Sequence, residues 1–344
     1  MDHSVKPPDS NQIEISVVVP VRDEEDSVQA LIEGLLGQTL LPREIVITDG
    51  GSVDATREII EEIIGRGAPV KLIREQKSMP GRARNVGAKH SRCDWIAFTD
   101  AGTRPAPDWL AALVDSASRG SSVDVVYGSY EPIVDSFFKE CAAIAYVPAP
   151  FESDGGFVRP VSIVSALMRR KVWESVNGFP EHLRSAEDLI FMRRVEAAKF
   201  KIARSSRAIV HWNIQPNLWR TFRRFVDYSR NNIRAGLFAE WQGTIFIYYA
   251  LLAASTLTVF VFGLPGLIVP PLLWLLFLGA RATRALLRNR KSYPASYARN
   301  LARLSLLLPI LATVDAAAFI GSIKWLLRDK LPLTGSRSED DSHE

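Results

Sequence analysis

The chain has little cysteine, two residues in 344. Cys93 and Cys141 have neither metal-type spacing nor the makings of a disulfide framework, and they suit a reducing compartment. Two glycine signatures are missing as well. Gly50-Gly51 lacks the G-x-G-x-x-G spacing, and no G-K-[ST] phosphate loop occurs, which removes the two commonest nucleotide-site motifs. The opening stretch MDHSVKPPDSNQ has no apolar run. It predicts a disordered segment over residues 1–12 and no signal peptide. Charge is absent elsewhere: Thr244 to Ala280 runs for 37 residues without a charged side chain.

That uncharged run belongs in a membrane. As one helix it would be about twice the length that a ~30 Å hydrocarbon core requires, at about 1.5 Å per residue. Two spans fit better, with the reversal at Gly263-Leu264-Pro265-Gly266. A third apolar stretch, residues 304–327, predicts a further span although it contains Pro309 and Asp315. Between them, residues 281–303 hold Arg281, Arg284, Arg288, Arg290, Lys291, Arg299 and Arg303 with no acid. This basic loop predicts a cytoplasmic position and, through the hairpin, a cytoplasmic N-terminal domain on a multi-pass inner-membrane protein. The net charge of +4 is explained by these membrane-flanking residues. A nucleic-acid partner is not expected, because the cations form no separate patch. Residues 216–243 mix Trp219, Phe222 and Phe225 with Arg220, Arg223 and Arg224, which predicts an interfacial amphipathic helix. Residues 328–344 form a polar tail.

Residues 13–215 alternate between two periodicities. IEISVVVPV reads as a buried parallel strand. A helix over 26–38 follows, then the strand REIVITDGGS, a helix over 54–65, the strand APVKLIRE, a helix opening at PGRARNVGAKH, the strand CDWIAFTDA and a helix over 107–118. Strand and helix alternating at these lengths predict an α/β fold with a doubly wound, mostly parallel, Rossmann-like sheet. Ligands of such sheets bind beyond the carboxyl ends of the strands. There the sequence places Arg22, Asp23 and Glu24 after the first strand, Asp49 and Asp54 after the second, and Thr99 and Asp100 after the fourth. Three acidic strand ends suggest a site for a nucleotide together with a metal.

Six stretches in this order resemble family 2 glycosyltransferases of the GT-A fold: VVVPVRDEE, DGGSVDATREI, PGRARNVGA, FTDAGTRPAPDWL, VNGFPEHLRSAEDLIFMRR and AIVHW. The resemblance covers roughly Ile15 to Asn213. It implies that Pro20, Arg22, Glu24, Asp49, Asp54 and Thr99 line a nucleotide-sugar pocket, with Arg82, Arg84 and Asn85 closing over base and phosphates. An Arg/Asn cluster at a helix start is also what an anion site calls for. The resemblance makes Asp100 the metal aspartate for Mg²⁺ or Mn²⁺. Gly102 stands where the family usually has a second acid, so His211 of AIVHW is expected as a further ligand. It makes Asp188 the general base, with Glu187 orienting the acceptor or the base. A sugar hydroxyl is a poor nucleophile, so a positioned carboxylate that takes its proton suits the chemistry. The Q-x-x-R-W stretch of processive polymerases is absent.

The expected function is inverting transfer of one sugar from a nucleoside-diphosphate donor to a lipid-linked or glycan acceptor. Two other readings stay open: a polyprenyl-phosphate sugar synthase, and a catalytically silent nucleotide-sugar-binding subunit of an envelope assembly complex.

Overall fold

In the computed structural model of the protein, residues 13–119, 123–153 and 156–330 are described. Residues 1–12 and most of the polar tail lie outside them. Along the chain run β1 (Ile15–Val21), α1 (Val28–Leu36), β2 (Glu44–Asp49), α2 (Thr56–Gly65), β3 (Val70–Arg74), α3 (Pro80–His90), β4 (Trp95–Phe98), β5 (Thr103–Pro105), α4 (Trp109–Ser118) and β6 (Val125–Ile133). After these come α5 (Phe137–Tyr146), β7 (Phe151–Ser153), β8 (Gly156–Val158), β9 (Ala166–Arg169), α6 (Arg170–Ser175), α7 (Glu187–Ala197) and β10 (Ile202–Asn213). The last part is helical: α8 (Leu218–Arg234), α9 (Thr244–Ser255), α10 (Thr258–Phe262), α11 (Val269–Arg288) and α12 (Tyr297–Trp325).

Two compact units result. The first takes the chain through Glu131, then Ser153–His182 and Asp188–Trp212; the second takes Pro132–Glu152, Leu183–Glu187 and the chain from Asn213 on. The glycosyltransferase domain expected as one run over 13–215 is thus interrupted. Pro132–Glu152 packs instead with the later helices, because α5 buries Cys141, Ala142, Ala143 and Ile144.

The first unit is built on an eight-stranded sheet in the order β3-β2-β1-β4-β9-β6-β10-β5. It is parallel from β3 to β4, as the alternating pattern requires, and β9 joins β4 and β6 in antiparallel pairing. The period of two sorts β1 between two cores. Val17 and Val19 pack with Leu31, Leu35, Trp109 and Leu113 on one face, while Val18 packs with Ile96, Phe98, Phe179 and Phe191 on the other. Each such apolar side chain contributes about 1.5–3 kcal/mol on full burial. The indole of Trp109 also donates to Ser165 Oγ at 2.9 Å, so its polar end is satisfied inside the core.

Among the described residues of the second unit, three helical segments are long and apolar enough to cross a membrane: Ala239–Phe262, Leu264–Arg288 and Tyr297–Lys330. Two boundaries differ from expectation. Helix α11 continues through Arg288 and α12 begins at Tyr297, so the basic connection shortens to residues 289–296. Helix α8 ends at Arg234, and the residues after Phe238 already run into α9.

Candidate active site

The loops after β1 and β2 are knitted together by side chains reaching across to backbone amides. Asp23 N–H donates to Ser52 Oγ (2.9 Å), Glu24 N–H to Thr56 Oγ1 (2.7 Å) and Glu25 N–H to Asp54 Oδ2 (3.1 Å). In return, Val53 N–H donates to Asp23 Oδ1 (2.9 Å) and Ala55 N–H to Glu25 Oε2 (3.0 Å). Asp54 Oδ1 also accepts from Thr56 N–H at 3.0 Å, at the start of α2. Burial opposes the charge of Asp54, but the bonds from Thr56 and Glu25 outweigh it and hold its carboxyl below the usual range. Asp49 is buried at the end of β2 and accepts from Ser52 N–H at 3.0 Å and from Ser52 Oγ–H. Several acids read as ligand-facing therefore also build the strand-end loops. Pro20 sits one residue before the end of β1, opposite Thr48, and Arg22 follows, half-buried.

Helix α3 opens at Pro80, whose missing N–H costs nothing at that position. The three polar side chains of its first half, Arg82, Arg84 and Asn85, have three different surroundings. Arg82 is exposed and pairs with Glu75 (2.5 Å) and Glu181 (3.2 Å). Asn85 uses both ends of its amide on one loop. It donates to Phe179 O and Glu181 Oε1, each at 2.9 Å, and accepts from Phe179 N–H (2.8 Å) and Trp173 Nε1–H (3.0 Å). Gly178 in that loop has φ +62°, and a Cβ there would strike Asn85 Oδ1 and lie 2.8 Å from Trp173 Nε1. Only glycine fits.

Arg84 is 3% exposed. Its Nη2 donates to Asp100 Oδ1 at 2.6 Å, and its guanidinium lies 5.4 Å from the centre of the Phe179 ring. Asp100 begins the turn that follows β4, held by Thr103 Oγ1 on its carbonyl at 2.6 Å. Thr99 beside it is buried, its hydroxyl 3.2 Å from that of Thr103. Gly102 has φ +73°, a backbone that L-residues seldom adopt. A Cβ on Gly102 would stand 3.5 Å from Glu24 Oε2. The place left by the absent second acid thus faces a carboxylate from the end of β1.

Asp188 lies in the first turn of α7, where Leu189 N–H donates to its Oδ1 at 2.8 Å. Burial pushes its carboxyl upward, the Arg84 guanidinium opposes that rise, and the Asp100 charge adds to it. One cation therefore acts on two carboxylates that are 88 residues apart in sequence. Glu187 is buried beside Asp188, and the preceding Ala186 has φ +68°, a strained backbone for a residue with a Cβ.

Strands β10 and β5 pair antiparallel, so His211 falls opposite Arg104 and Trp212 opposite Thr103. Two ends of the sequence, the Asp100 turn and the AIVHW strand, are thereby brought to one sheet edge. His211 is exposed there. Among the described residues, no three His, Cys, Asp or Glu side chains converge as a ready-made metal cage.

A further group had no motif to announce it. Tyr130 meets Trp212 edge-on at 6.2 Å, and Arg159, buried, lies 6.0 Å from the centre of the Tyr130 ring and donates to Glu131 at 2.6 Å. Burial pushes the Tyr130 hydroxyl up to about 12, with Arg159 opposing and the charges of Glu131 and Asp188 adding. The only signal in the sequence was the uneven run GSYE at the end of an apolar strand.

Among solved structures, the chain resembles the mannosyltransferase PcManGT from Pyrobaculum calidifontis, solved with GDP-Man and Mn²⁺, with a TM-score of 0.54 and 18% identity, covering 93% of this chain and 89% of that one. At that identity the likeness establishes the GT-A fold. Residues 16–174, a little under half of the chain, match the family model for glycosyl transferase family 2. It is 27% identical over 193 residues to the uncharacterized glycosyltransferase EpsJ of Bacillus subtilis, covering 52% of this chain and 54% of EpsJ. It is 26% identical over 193 residues to the glycosyltransferase AglE of Haloferax volcanii, covering 55% of this chain and 63% of AglE. The succinoglycan biosynthesis protein ExoA of Rhizobium meliloti is 26% identical over 230 residues, 63% of this chain and 68% of ExoA. The chain thus spans somewhat over half the length of the first two relatives. The family match ends before Glu187-Asp188.

Proposed function

We propose that this chain is a membrane-anchored, inverting glycosyltransferase that moves one sugar from a nucleoside-diphosphate donor to a lipid-linked or glycan acceptor at the cytoplasmic face. The observation that carries the reading is the electrostatic triangle of Arg84, Asp100 and Asp188. A buried cation that pairs with one carboxylate and acts electrostatically on a second, from a different element, is what a charge-separating transfer needs. The diphosphate approaches Arg84, while Asp188, its carboxyl raised toward the working range, takes the acceptor's proton. Glu187 would orient that carboxylate or the acceptor. Pro20, Arg22, Asp49 and Thr99 would border the base and ribose at the strand ends, where ligands of such sheets lie. Tyr130, whose hydroxyl feels the Asp188 charge, would extend the site with Trp212 and Arg159, and an aromatic face beside a buried cation suits a sugar ring.

A divalent cation fits the donor set. Asp100 is half-exposed, Glu24, whose Oε2 also accepts from Ser27 Oγ–H, brings its carboxylate beside Gly102, and His211 would come from the adjoining strand. Hard oxygen ligands supplemented by a diphosphate suit Mg²⁺ or Mn²⁺. The ion would supply charge neutralisation at the departing diphosphate.

The test is a thermal-shift screen of the detergent-solubilised chain against nucleoside diphosphates and their sugars, with and without Mn²⁺. A ligand at 100 times its Kd adds about 2.7 kcal/mol of stability, so binding registers as a rise in Tm. If no nucleotide raises Tm under either condition, the donor reading fails.

A further inference from the structure

By length and composition, Tyr297–Lys330 is a third candidate span. Its contacts within the second unit speak otherwise. Residues 244–280 form a helical hairpin in which Tyr248 stacks on Phe277 and donates to Leu273 O at 3.2 Å, so its two arms lie side by side with their reversal near Gly263. Gln242, just before the outgoing helix, and Asn289, just after the returning one, therefore mark the same end of that hairpin.

Both parts of α12 are tied to that end. Near its start, Arg303 donates through Nε to Glu140 of α5 at 2.7 Å, and Arg299 also pairs with Glu140. Helix α5 in turn touches the hairpin where Asn289 donates to Ile144 O at 3.3 Å. Near its other end, the Ala318 carbonyl accepts from Ser229 of α8 at 2.8 Å, and the Ser229 carbonyl accepts from Gln242 at 2.9 Å. Gly321 lies so close to α8 that a Cβ would stand 2.5 Å from the Val226 carbonyl oxygen. Further on, Asp329 receives both Nε and Nη2 of Arg230, at 2.9 and 3.0 Å. Arg303 and Gly321 are 18 residues apart, about 27 Å along a helix. That is close to a full hydrocarbon thickness of ~30 Å, yet their partners sit at one end of the hairpin.

The middle of α12 agrees. Asp315 bonds to Arg281 at 2.5 Å, and Arg281 is the first charged residue beyond the uncharged run. A crossing helix would carry its midpoint to the bilayer centre; here the midpoint is at the edge. The buried residues of α11, Leu278, Ala282 and Ala285, also lie in its second half, where α12 covers it. Finally, α12 packs along α8, whose Arg220, Arg223, Asp227 and Arg230 would have to enter the hydrocarbon with it.

We propose that α12 does not cross the bilayer but lies in its interfacial layer, so that the chain crosses twice. This rests on the reading of residues 244–280 as a membrane hairpin. The exposed Leu301, Ile320, Ile323 and Leu327 fall on one helical face, which rests on the acyl chains beside the hairpin. The charged partners Glu140, Arg230 and Asp329 stay at headgroup level.

Single-cysteine labelling of the full chain in intact cells tests this with a membrane-impermeant maleimide, since Cys93 and Cys141 are buried. Leu264→Cys, at the exposed hairpin turn, reacts from outside, while Ser336→Cys in the tail reacts only after permeabilisation. Reaction of Ser336→Cys from outside together with Leu264→Cys overturns the interfacial helix and leaves the hairpin standing. Silence at Leu264→Cys removes the hairpin and the proposal with it. Nitroxides at Leu301→Cys, Ala316→Cys and Ile323→Cys in nanodiscs give a second measure. Equal shallow depths, read from oxygen against nickel-chelate collisions, support the interfacial position; Ala316→Cys much deeper than the other two refutes it.

Discussion

Replacing Asp188 by Asn separates a catalytic base from a helix-start acid. The amide keeps the size of the side chain and its Oδ1 can still accept from Leu189 N–H, the 2.8 Å bond that fixes the carboxylate. It cannot take a proton. Positioned general bases contribute about 10²–10⁴-fold, so transfer falls at least ~10²-fold, about 2.7 kcal/mol in the barrier. Stability moves the other way or not at all. Because the folded carboxyl is raised above its ordinary value, its protonated form favours the fold, and that contribution is lost as pH rises from the ordinary value through the raised one. Once ionised, Asp188 therefore weighs against folding, and Asn relieves that at the expense of the attraction to Arg84. The assays are donor calorimetry, Tm, and transfer rate per folded molecule, all at pH 7. Donor affinity and Tm hold while the rate collapses. A variant that transfers normally, or one whose rate loss is matched by a lower folded fraction, refutes the base.

Three other substitutions probe the surroundings. Arg84→Met removes the charge that opposes the rise of the Asp188 carboxyl, so the acid limb of the transfer rate moves to higher pH; a rate–pH profile with an unmoved limb would detach Arg84 from the base. Glu24→Gln weakens Mn²⁺ binding to the nucleotide-loaded protein several-fold by calorimetry or EPR titration while nucleotide binding without metal persists; unchanged Mn²⁺ affinity would clear Glu24 of any part in holding the ion. Gly178→Ala lowers stability by about 2 kcal/mol or more, the left-handed backbone alone accounting for roughly 1–2 kcal/mol and the collision with Asn85 for the rest, as read from denaturant unfolding; a change below ~0.5 kcal/mol would show that the loop yields.

The parallel half of the fold was legible because its signal is local. IEISVVVPV and REIVITD are buried through nearly all their length, and such strands read as continuous apolar runs. The antiparallel half was not. Strand β9 enters between β4 and β6, a pairing set by long-range packing rather than by any period in ALMR. At the site, the types of residue were readable and their partners were not. Asp54 and Asn85 looked like ligands, and a sequence cannot reveal that their hydrogen bonds are largely taken up by Thr56, Glu25, Phe179 and Trp173. Glu24 stood in plain view without a metal role, since its nearness to position 102 exists only once β1 and β4 are paired. The end of α11 was misplaced because the charge that stops a membrane run does not stop a helix.

The detour of Pro132–Glu152 bears on how the protein can be handled. A fragment cut after Trp212, the natural choice for a water-soluble catalytic half, would keep α5 and lose α11 and α12, which cover it. Cys141, Ala142, Ala143 and Ile144 would face solvent, and the Glu140 carboxylate, held below the usual range by its bonds from Arg299 and Arg303, would have neither. The fragment would thus present an apolar helix face to water and lose the ion pairs that fix α5. Expression trials that shorten this protein from the C-terminus should therefore keep the sequence through α12, or else delete α5 along with it.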